Sequence, residues 1–391
     1  MHFTIVIPTR ERANTLEHTL RTCIAQDYDD LEILVSDNAS VDNTREVVSS
    51  FSDRRLRYVN TGRRVSMTTS FEFAFSHVKP GYLISIGDDD GIPVGAIRAA
   101  AEIAKETRTA AITTERAQYD WPGMAANRAN QILFTLETGW EWRNTNTFYP
   151  RVLNGRLSYY QIPLLYHCYV ATELIEAIRG RLGDLFHSQQ LDIYSSMLLG
   201  GFVRNYVHSF TPLVINGASI KSNGAQHFGE VQDTSEIKRW EAETDIPLRY
   251  PFRFAKSHRY LILEAFLQAR DIVPELKSVT PDMEGIFLNA LTDIYLAENW
   301  TDAEIVRDVA RLMGISLPVS RLPILRRKWQ VKAERYWNRA AHLRDTVVID
   351  CSKHGVNDIA GAAHLMAQIK QKGMSKEVGL LSQFWLALKR S

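Results

Sequence analysis

Short apolar runs alternate with amphipathic stretches over the first 115 residues. The run FTIVI at 3–7 is continuous and ends at a proline, which is typical of a strand covered on both faces. The residues after it place apolar side chains on one helix face, and the alternation then continues. It predicts further strands at 31–37, 56–60, 82–86 and 109–114, and helices at 44–51, 70–78 and 94–106. This pattern favours an α/β fold with a doubly wound, mainly parallel sheet.

The rest of the chain is less regular. Residues 115–165 show no clear period, and we expect them to form an irregular excursion over a site. Two helices and a further strand are predicted next, at 171–180, 191–200 and 210–216. Helical patterns dominate from about residue 235. We therefore expect one domain over 1–235 and a mainly helical region over 236–391.

Composition excludes several classes of protein. The 46 Lys and Arg residues nearly balance the 45 Asp and Glu residues, so the net charge of +1 predicts no nucleic-acid partner. Three widely spaced cysteines without a C-x-x-C pair indicate neither a disulfide framework nor a zinc site. No window approaches the roughly 20 apolar residues of a membrane span. The sequence therefore predicts a soluble, cytoplasmic protein.

Polar clusters follow three of the predicted strands: PTRER at 8–12, SDNAS at 36–40 and GDDD at 87–90. Ligands of doubly wound sheets bind beyond the carboxyl ends of the strands, so one crevice is expected to gather these clusters. In an extended segment, Asp88 and Asp90 would point one way and Asp89 the other. A hard divalent cation such as Mg²⁺ or Mn²⁺ would relieve their repulsion. The alternative is a solvated turn before a helix.

Asp37 ends the second predicted strand, where an acidic residue commonly contacts the ribose or base of a nucleotide. An Asx-turn with Ser40 as the helix N-cap is the alternative. The chain has no G-x-G-x-x-G after the first strand and no G-x-x-x-x-G-K-[ST]. The sequence therefore lacks the motifs that would indicate a dinucleotide-dependent oxidoreductase or a P-loop protein.

Three segments taken together resemble the family 2 glycosyltransferases, which have the GT-A fold. They are IVIPTRERANTLEHTLRTCIAQ, LEILVSDNASVDNT and YLISIGDDDGIPVGA, in the order and spacing of the family, and the resemblance covers about residues 3–115. It implies that residues 1–235 are a catalytic domain. The implied reaction is an inverting, metal-dependent transfer of a sugar from a nucleotide-diphosphate donor, most commonly a UDP-sugar, to a hydroxyl of a saccharide or lipid-linked saccharide in polysaccharide or glycoconjugate assembly.

The same resemblance assigns roles to individual residues. It implies that the donor nucleotide-sugar is bound by Pro8, Thr9, Arg10, Glu11, Asp37, Arg64, Asp88 and Asp89. Asp90 and Asp88 would hold the divalent metal. Many relatives have P-x-Y-N where this chain has PTRER, which leaves the identity of the base less certain. The pair Arg63 and Arg64 is alternatively an exposed basic pair, and Ser66 is a candidate helix N-cap.

The inverting reaction requires a base, and Asp192 in HSQQLDIYSSML matches the later acidic residue of the family in order and spacing. Asp184 and His187 are nearby alternatives, and an acid at a helix start is also an ordinary N-terminal charge. The segment 215–228 has the composition of a mobile loop over the diphosphate. Its His227 is a further candidate metal ligand.

A basic segment lies near the C-terminus. Residues 321–344 carry eight Lys and Arg residues against one Glu, with aromatic residues between them. Such a segment fits peripheral contact with the inner face of an anionic membrane, or a solvated basic face packed through its aromatics.

Two other functions remain open at the level of sequence. A sugar-phosphate nucleotidyltransferase also pairs such a sheet with metal-binding carboxylates, but it usually needs a Gly-rich loop after the first strand, and PTRERANT has no glycine. A non-catalytic protein that binds nucleotide-sugar or membrane, as a partner of other transferases, is the second alternative.

Overall fold

The computed structural model describes residues 1–125, 127–222, 242–318 and 346–372. The predicted domain boundary near residue 235, the candidate ligand His227 and the basic segment 321–344 lie outside these residues.

Ten strands of the described chain form one sheet. They are β1 Phe3–Thr9, β2 Leu31–Asp37, β3 Leu56–Asn60, β4 Tyr82–Ser85, β5 Ala111–Asp120, β6 Gln131–Thr135, β7 Trp140–Asn144, β8 Tyr169–Ala171, β9 Asn205–Ala218 and β10 Thr346–Asp350. The main path runs β10-β6-β5-β8-β4-β1-β2-β3, with β9 pairing β5 and β7.

The predicted mainly parallel sheet is confirmed for its first half. Strands β3, β2, β1 and β4 pair in parallel, as the alternation of strands and helices indicated. Beyond β4 the pairing is mixed, because β8 runs antiparallel to both β4 and β5, and β6 runs antiparallel to β5 and β10. The structure is therefore an α/β fold with a parallel half and a mixed half.

Helices cover both faces of the sheet. They are α1 Ala13–Ile24, α2 Thr44–Ser49, α3 Met67–Ser76, α4 Ala96–Thr107, α5 Thr145–Leu153, α6 Thr172–Leu182, α7 Leu191–Leu199, α8 His258–Ile272, α9 Met283–Leu296, α10 Trp300–Leu312 and α11 Ile359–Lys372.

The continuous apolar run of β1 is explained by these two layers. Ile5 and Ile7 pack with Leu16 of α1 on one face of the sheet. Val6 points to the other face and packs with Phe75 of α3. A strand buried on both sides needs apolar residues at every position, since successive side chains point to opposite faces.

The prediction for residues 115–165 was wrong. Strand β5 continues to Asp120, and the segment that follows holds β6, β7 and α5. β6 pairs the neighbouring β5 on one side, but its other partner is β10 at 346–350, and β7 pairs β9 at 205–209. Short strands that pair at such sequence distances carry little local signal, which explains why their sequence shows no clear period.

The region after residue 236 is helical over much of its described length, but it also returns to the sheet. Residues of α8, α9 and α10 share one apolar core with α3, α6 and α7. Strand β10 then extends the sheet beside β6, and α11 packs against α1 and β6. Among the helices of the described ranges, none combines the length and the hydrophobicity that a transmembrane segment requires.

A carboxyl group lies inside this shared helical core. Glu264 of α8 is fully buried, and one of its oxygens accepts a hydrogen bond from the backbone N–H of Arg249 at 2.7 Å. The other oxygen, Oε2, has no hydrogen-bond partner among the described residues. Burial raises the pKa of Glu264 to about 7 from an ordinary 4.5.

This shift predicts a pH dependence of stability. Because the folded protein binds the Glu264 proton more tightly than the unfolded chain does, the free energy of unfolding should fall as pH rises from about 4.5 to 7. Glu264→Gln removes this contribution. Between pH 4.5 and 8, the free energy of unfolding of wild type should therefore fall by about 2–3 kcal/mol more than that of the variant. Urea unfolding at both pH values measures the difference. The control is Glu284→Gln, which changes an exposed carboxylate. If the free energy of unfolding of wild type and of Glu264→Gln changed equally with pH, the raised pKa would not belong to Glu264.

Candidate active site

The three adjacent carboxylates lie just beyond β4, which ends at Ser85. They occupy a turn, closed by a hydrogen bond from the backbone N–H of Asp90 to the carbonyl of Gly87 at 3.2 Å. All three are at least 96 % buried. The predicted strand 82–86 is therefore one residue too long, and the alternation expected for an extended segment does not apply to the carboxylates.

Asp88 is held by the end of β1 and the start of α1. The hydroxyl of Thr9 donates to Asp88 Oδ2 at 2.7 Å, and the Arg12 guanidinium donates to Asp88 Oδ1 at 3.0 Å. Arg12 also donates to the carbonyl of Lys221. One arginine thus links the carboxylate turn to the segment that follows β9.

Backbone contacts fix the turn from two sides. The Thr19 hydroxyl lies 3.0 Å from the carbonyl of Asp88 and 2.6 Å from that of Asp90, and it donates to these two acceptors. Strand β9 approaches from the other side, where Gly91 and Ile215 exchange backbone hydrogen bonds. At Gly217 a side chain would collide with the carbonyl of Asp89, so only glycine permits this approach.

Asp90 has a full set of hydrogen-bond donors. Its Oδ2 accepts from the Tyr166 hydroxyl at 2.5 Å, from His167 Nε2 at 2.6 Å and from the backbone N–H of Gly87 at 2.6 Å. Its Oδ1 accepts from the backbone N–H of Gly217 at 2.7 Å. Burial alone would raise the pKa of Asp90, but His167 and the hydrogen bonds outweigh burial and lower the pKa below its ordinary value.

Asp89 has weaker compensation. Its Oδ2 accepts from the Ser219 hydroxyl at 2.5 Å, and its carbonyl accepts from the Trp121 indole. Burial raises the pKa of Asp89 to about 7, and the neighbouring Asp90 and Asp88 act in the same direction against Arg12. The turn therefore holds more negative charge than its surroundings neutralise.

Asp37 and Glu11 form a second polar group at the ends of β1 and β2. Asp37 accepts hydrogen bonds from the Ser40 hydroxyl and backbone N–H on one oxygen, and from the Tyr58 hydroxyl and the Asn60 amide on the other. The Ser40 hydroxyl also accepts from the backbone N–H of Glu11 at 2.9 Å. The Asx-turn is observed, whereas the residue before α2 is Asn43 and not Ser40.

Arg10 and Arg64 meet at a third carboxylate. Arg10 donates to Glu243 Oε2 at 2.7 Å, and Arg64 donates to Glu243 Oε1 at 2.6 Å. Two residues later, Asp245 accepts from the hydroxyls of Ser66 and Thr69 in the first turn of α3. Ser66 is the N-cap of α3, as predicted.

Asp192 lies in the first turn of α7. Its Oδ2 accepts from the Tyr159 hydroxyl at 2.6 Å, and the Tyr160 hydroxyl is 3.4 Å away. The Tyr160 ring stacks on His167 with 6.2 Å between ring centres, and His167 contacts Asp90. Tyr160 and His167 therefore connect Asp192 with the carboxylate turn.

The alternatives to Asp192 contact each other. A ring nitrogen of His187 lies 3.0 Å from the carbonyl oxygen of Asp184, and both residues are outside the buried core.

The structure thus arranges the predicted residues in groups. Thr9 joins Asp88, Asp37 joins Glu11 through Ser40, and Arg10 joins Arg64 through Glu243. Pro8 lies in β1 opposite Ser36 of β2.

Four side chains that bond the three carboxyl groups received no individual role from the sequence: Arg12, Tyr166, His167 and Ser219. The aromatic cluster YYQIPLLYH at 159–167 was the available signal for two of them.

Some of these side chains are candidate ligands for a divalent metal. The described residues contain no group of three or more His, Cys, Asp and Glu side chains that could hold a metal ion. Mg²⁺ and Mn²⁺ sites, however, often use one or two carboxylates and complete their shell with substrate phosphates and water. The uncompensated charge at Asp89 fits such an ion. Asp88 and Asp90, each with hydrogen bonds on both oxygens, fit it less well.

The family comparison matches the part of the chain that carries the carboxylate turn. The profile described as "Glycosyl transferase family 2" matches residues 4–172.

Curated relatives match shorter segments. Validoxylamine A glucosyltransferase of Streptomyces hygroscopicus is 48 % identical over 58 residues, which is 14 % of each chain. GalNAc(5)-diNAcBac-PP-undecaprenol beta-1,3-glucosyltransferase of Campylobacter jejuni is 29 % identical over 105 residues, which is 26 % of this chain and 34 % of the relative. The chain therefore spans about a third or less of these relatives.

Solved structures are similar over more of the chain. S. aureus TarS 1-349 in complex with UDP-GlcNAc is 14 % identical, with a TM-score of 0.47, and the match covers 81 % of this chain and 93 % of that one. The mannosyltransferase PcManGT from Pyrobaculum calidifontis in complex with GDP-Man and Mn²⁺ is 17 % identical, with a TM-score of 0.39, over 88 % and 87 % of the two chains.

The unequal compensation of Asp89 and Asp90 predicts opposite effects of two isosteric substitutions. Asp89→Asn removes a poorly compensated charge and keeps an oxygen that accepts from Ser219, so it should raise Tm at pH 8. Asp90→Asn turns an amide N–H₂ toward groups that donate hydrogen bonds to Asp90. It should therefore lower the free energy of unfolding by about 3 kcal/mol. Thermal and urea unfolding of the three proteins measure both effects, and a destabilised Asp89→Asn would overturn this account of the turn.

Proposed function

We propose that the chain, which through residues 4–172 belongs to glycosyl transferase family 2, moves a sugar from a nucleotide-diphosphate donor to an acceptor hydroxyl with inversion. The donor that we expect first is a UDP-sugar. The proposal assigns this activity to polysaccharide or glycoconjugate assembly. Both curated relatives described above are named glucosyltransferases, which makes a glucosyl donor the first to test.

The observation that carries the proposal is the carboxylate turn at the ends of β1, β4 and β9. It holds an excess of negative charge inside the protein, at the edge of the sheet where α/β proteins bind ligands. A buried charge without full compensation costs stability, and a functional ligand would relieve that cost. The nucleotidyltransferase alternative gains no support, because the loop after β1 contains no glycine.

The donor would lie along the edge from Asp37 to Asp88. Arg10 and Arg64, which flank this edge, supply two positive charges for the phosphates. A divalent cation held by Asp89 with the donor phosphates would neutralise charge on the leaving diphosphate. Arg12 would add a fixed positive charge on the same side, since its guanidinium is anchored on Asp88.

Asp192 is our proposed general base. It would take the proton of the acceptor hydroxyl as that oxygen attacks the anomeric carbon on the face opposite the leaving diphosphate. Hydrogen bonds from Tyr159 and Tyr160 orient its carboxylate, and Tyr160 also ties this orientation to His167 and Asp90. Base and donor site are thereby held by one continuous set of side chains.

Thermal-shift measurements test the donor site directly. UDP, GDP, CDP, dTDP and ADP are each added with Mn²⁺, with Mg²⁺ or with EDTA, to wild type and to Asp89→Asn. We expect one diphosphate to raise Tm only in the presence of metal and of Asp89, because a ligand that binds the folded state stabilises it. If no diphosphate shifts Tm under any condition, the donor-site proposal is wrong.

The role of Asp192 is tested by separating binding from turnover. Asp192→Asn keeps the hydrogen bond from Tyr159 to the remaining oxygen but removes the basic carboxylate. We expect kcat to fall by about 10²–10⁴-fold, with the nucleotide-induced shift in Tm unchanged. Asp184→Asn is the matched control and should retain activity. Wild-type turnover in Asp192→Asn would exclude it as the base.

Glu243 provides a second test of the donor site. Its carboxylate occupies the two arginines that we assign to the donor phosphates, so an incoming diphosphate competes with it. Glu243→Gln should therefore tighten binding of the diphosphate identified above by several-fold, as judged by calorimetry, and the gain should shrink at high salt. Glu304→Gln on the exposed face of α10 should leave affinity unchanged. Weaker binding by Glu243→Gln would instead make Glu243 a donor ligand.

A further inference from the structure

Strand β7, Trp140–Asn144, forms an open edge of the sheet. Among the described residues it pairs with β9 alone, and its residues are all exposed or half-buried. Prolines, lysines and bulges commonly protect such an edge from further pairing. The sequence WEWRN, which pairs with β9 without a shift in register, has none of them. The edge of β7 is therefore a surface to which a further strand can add.

The open side of β7 presents the backbone groups of alternate residues, because N–H and C=O groups in a strand point in turn to its two sides. The backbone N–H of Thr145, directly after β7, donates to the carbonyl of Arg204 at 2.8 Å, beside the start of β9. The odd-numbered residues of β7 therefore face β9. Trp140, Trp142 and Asn144 direct their backbone groups to the open side. In the described ranges, the N–H and C=O groups of Trp140 and Trp142 have no hydrogen-bond partner.

The charges of β7 select one register for antiparallel pairing with a second copy of the strand. A two-fold axis at Glu141 would place the two Glu141 side chains opposite each other, and an axis at Arg143 would do the same for the two arginines. Like charges in opposite positions are destabilising. An axis at Trp142 instead places each Glu141 opposite Arg143 of the second copy. The strand is therefore complementary to itself in this register and not in the two that flank it.

The side chains on both faces of β7 suit the axis at Trp142. The Trp142 side chain is 51 % exposed, on the same face as Trp140, and the axis would bring its ring against that of its counterpart. On the other face, Arg143 contacts Glu141 at 2.7 Å and Gln161 at 2.6 Å, while 45 % of the Glu141 side chain stays exposed. Pairing would extend this ion pair to four charges of alternating sign, without a net charge at the interface.

We propose that β7 is a homodimer interface, in which the strands of two copies pair antiparallel about a two-fold axis at Trp142 and join the two sheets. The N–H and C=O groups of Trp142 would bond with those of its counterpart, and Trp140 would pair with Asn144 of the second copy. A two-fold contact uses the open edge of both copies, so association should stop at the dimer. Small interfaces are weak, and we expect a dissociation constant of about 1–100 µM.

This interface does not depend on the proposed function. Strand β7 pairs with the first residues of β9, at 205–209, whereas Gly217 near the end of β9 contacts the carboxylate turn. Dimerisation therefore leaves the candidate active site unobstructed by the paired strands, and changes in β7 should not alter the nucleotide-induced shift in Tm.

Sedimentation-velocity centrifugation of the full chain, from about 1 to about 300 µM, tests the interface. The average mass of wild type should rise with concentration from 44.6 kDa toward twice that value. Trp142→Lys places two ammonium groups opposite each other at the axis and should weaken dimerisation at least about tenfold. Glu102→Lys changes an exposed carboxylate of α4 and is the control, which should dimerise like wild type.

A mixing experiment tests the register. Glu141→Arg leaves two positive charges on this face of β7, and Arg143→Glu leaves two negative charges, so each variant alone should be monomeric. An equimolar mixture of the two should dimerise, because unlike charges again lie opposite each other. Near-ultraviolet circular dichroism reports whether each variant is folded.

The results separate the interface from its alternatives. Wild type that stays monomeric at about 300 µM would exclude the homodimer and leave the edge to a different partner. A dimer that persists in folded Trp142→Lys would place the contact elsewhere on the protein, and a mass above that of the dimer would contradict the closed two-fold pairing. If the two charge variants are folded but stay monomeric when mixed, the register is wrong. None of these results changes if no nucleotide stabilises the protein.

Discussion

Burial of three consecutive carboxylates is the constraint on which the rest of this structure depends. Asp88, Asp89 and Asp90 are nearly inaccessible to water, and a desolvated carboxylate needs either hydrogen bonds or a neighbouring positive charge. The fold supplies these from every side: Thr9 and Arg12 from the end of β1, Tyr166 and His167 before β8, and β9 through Gly217 and Ser219. These distant segments converge on one turn, which lies just beyond β4, the strand at which the mixed half of the sheet meets the parallel half.

The local pattern of the sequence was enough to predict the parallel half. A strand covered on both faces needs an unbroken apolar run. Residues 3–7 are such a run, so the position of β1 follows from the local sequence alone. The three polar clusters at 8–12, 36–40 and 87–90 were identified for the same reason, because a parallel sheet aligns the carboxyl ends of its strands. The mixed half offered no comparable signal, since β7 and one edge of β6 pair with strands that lie far along the chain.

The partners of the site residues could not be predicted from the sequence. Asp88 and Arg12 are 76 residues apart, Asp90 and His167 are 77 apart, and Arg10 and Glu243 are 233 apart. Each pair forms because two strands or loops that are distant in the chain lie side by side in the fold. Such contacts cannot be predicted from a single sequence. Residue type singled out Asp88, Asp90 and Arg10, whereas Glu243 carried no signal and His167 follows an aromatic stretch without any periodic pattern. The chemistry of the site was therefore predictable to the level of its carboxylates and not to the level of their environment.

Two buried acids with similar pKa values have different meanings in this protein. Burial raises the pKa of both Asp89 and Glu264 to about 7. Glu264 lies among the helices α8 and α9 in an apolar core, where no ligand could reach it without disrupting the packing. Asp89 lies at the end of the sheet, beside Arg12 and the start of the segment after β9, on the edge where we propose that the donor binds. A shifted pKa measures the cost of a buried charge, and only its position in the fold distinguishes a structural cost from one that a ligand relieves.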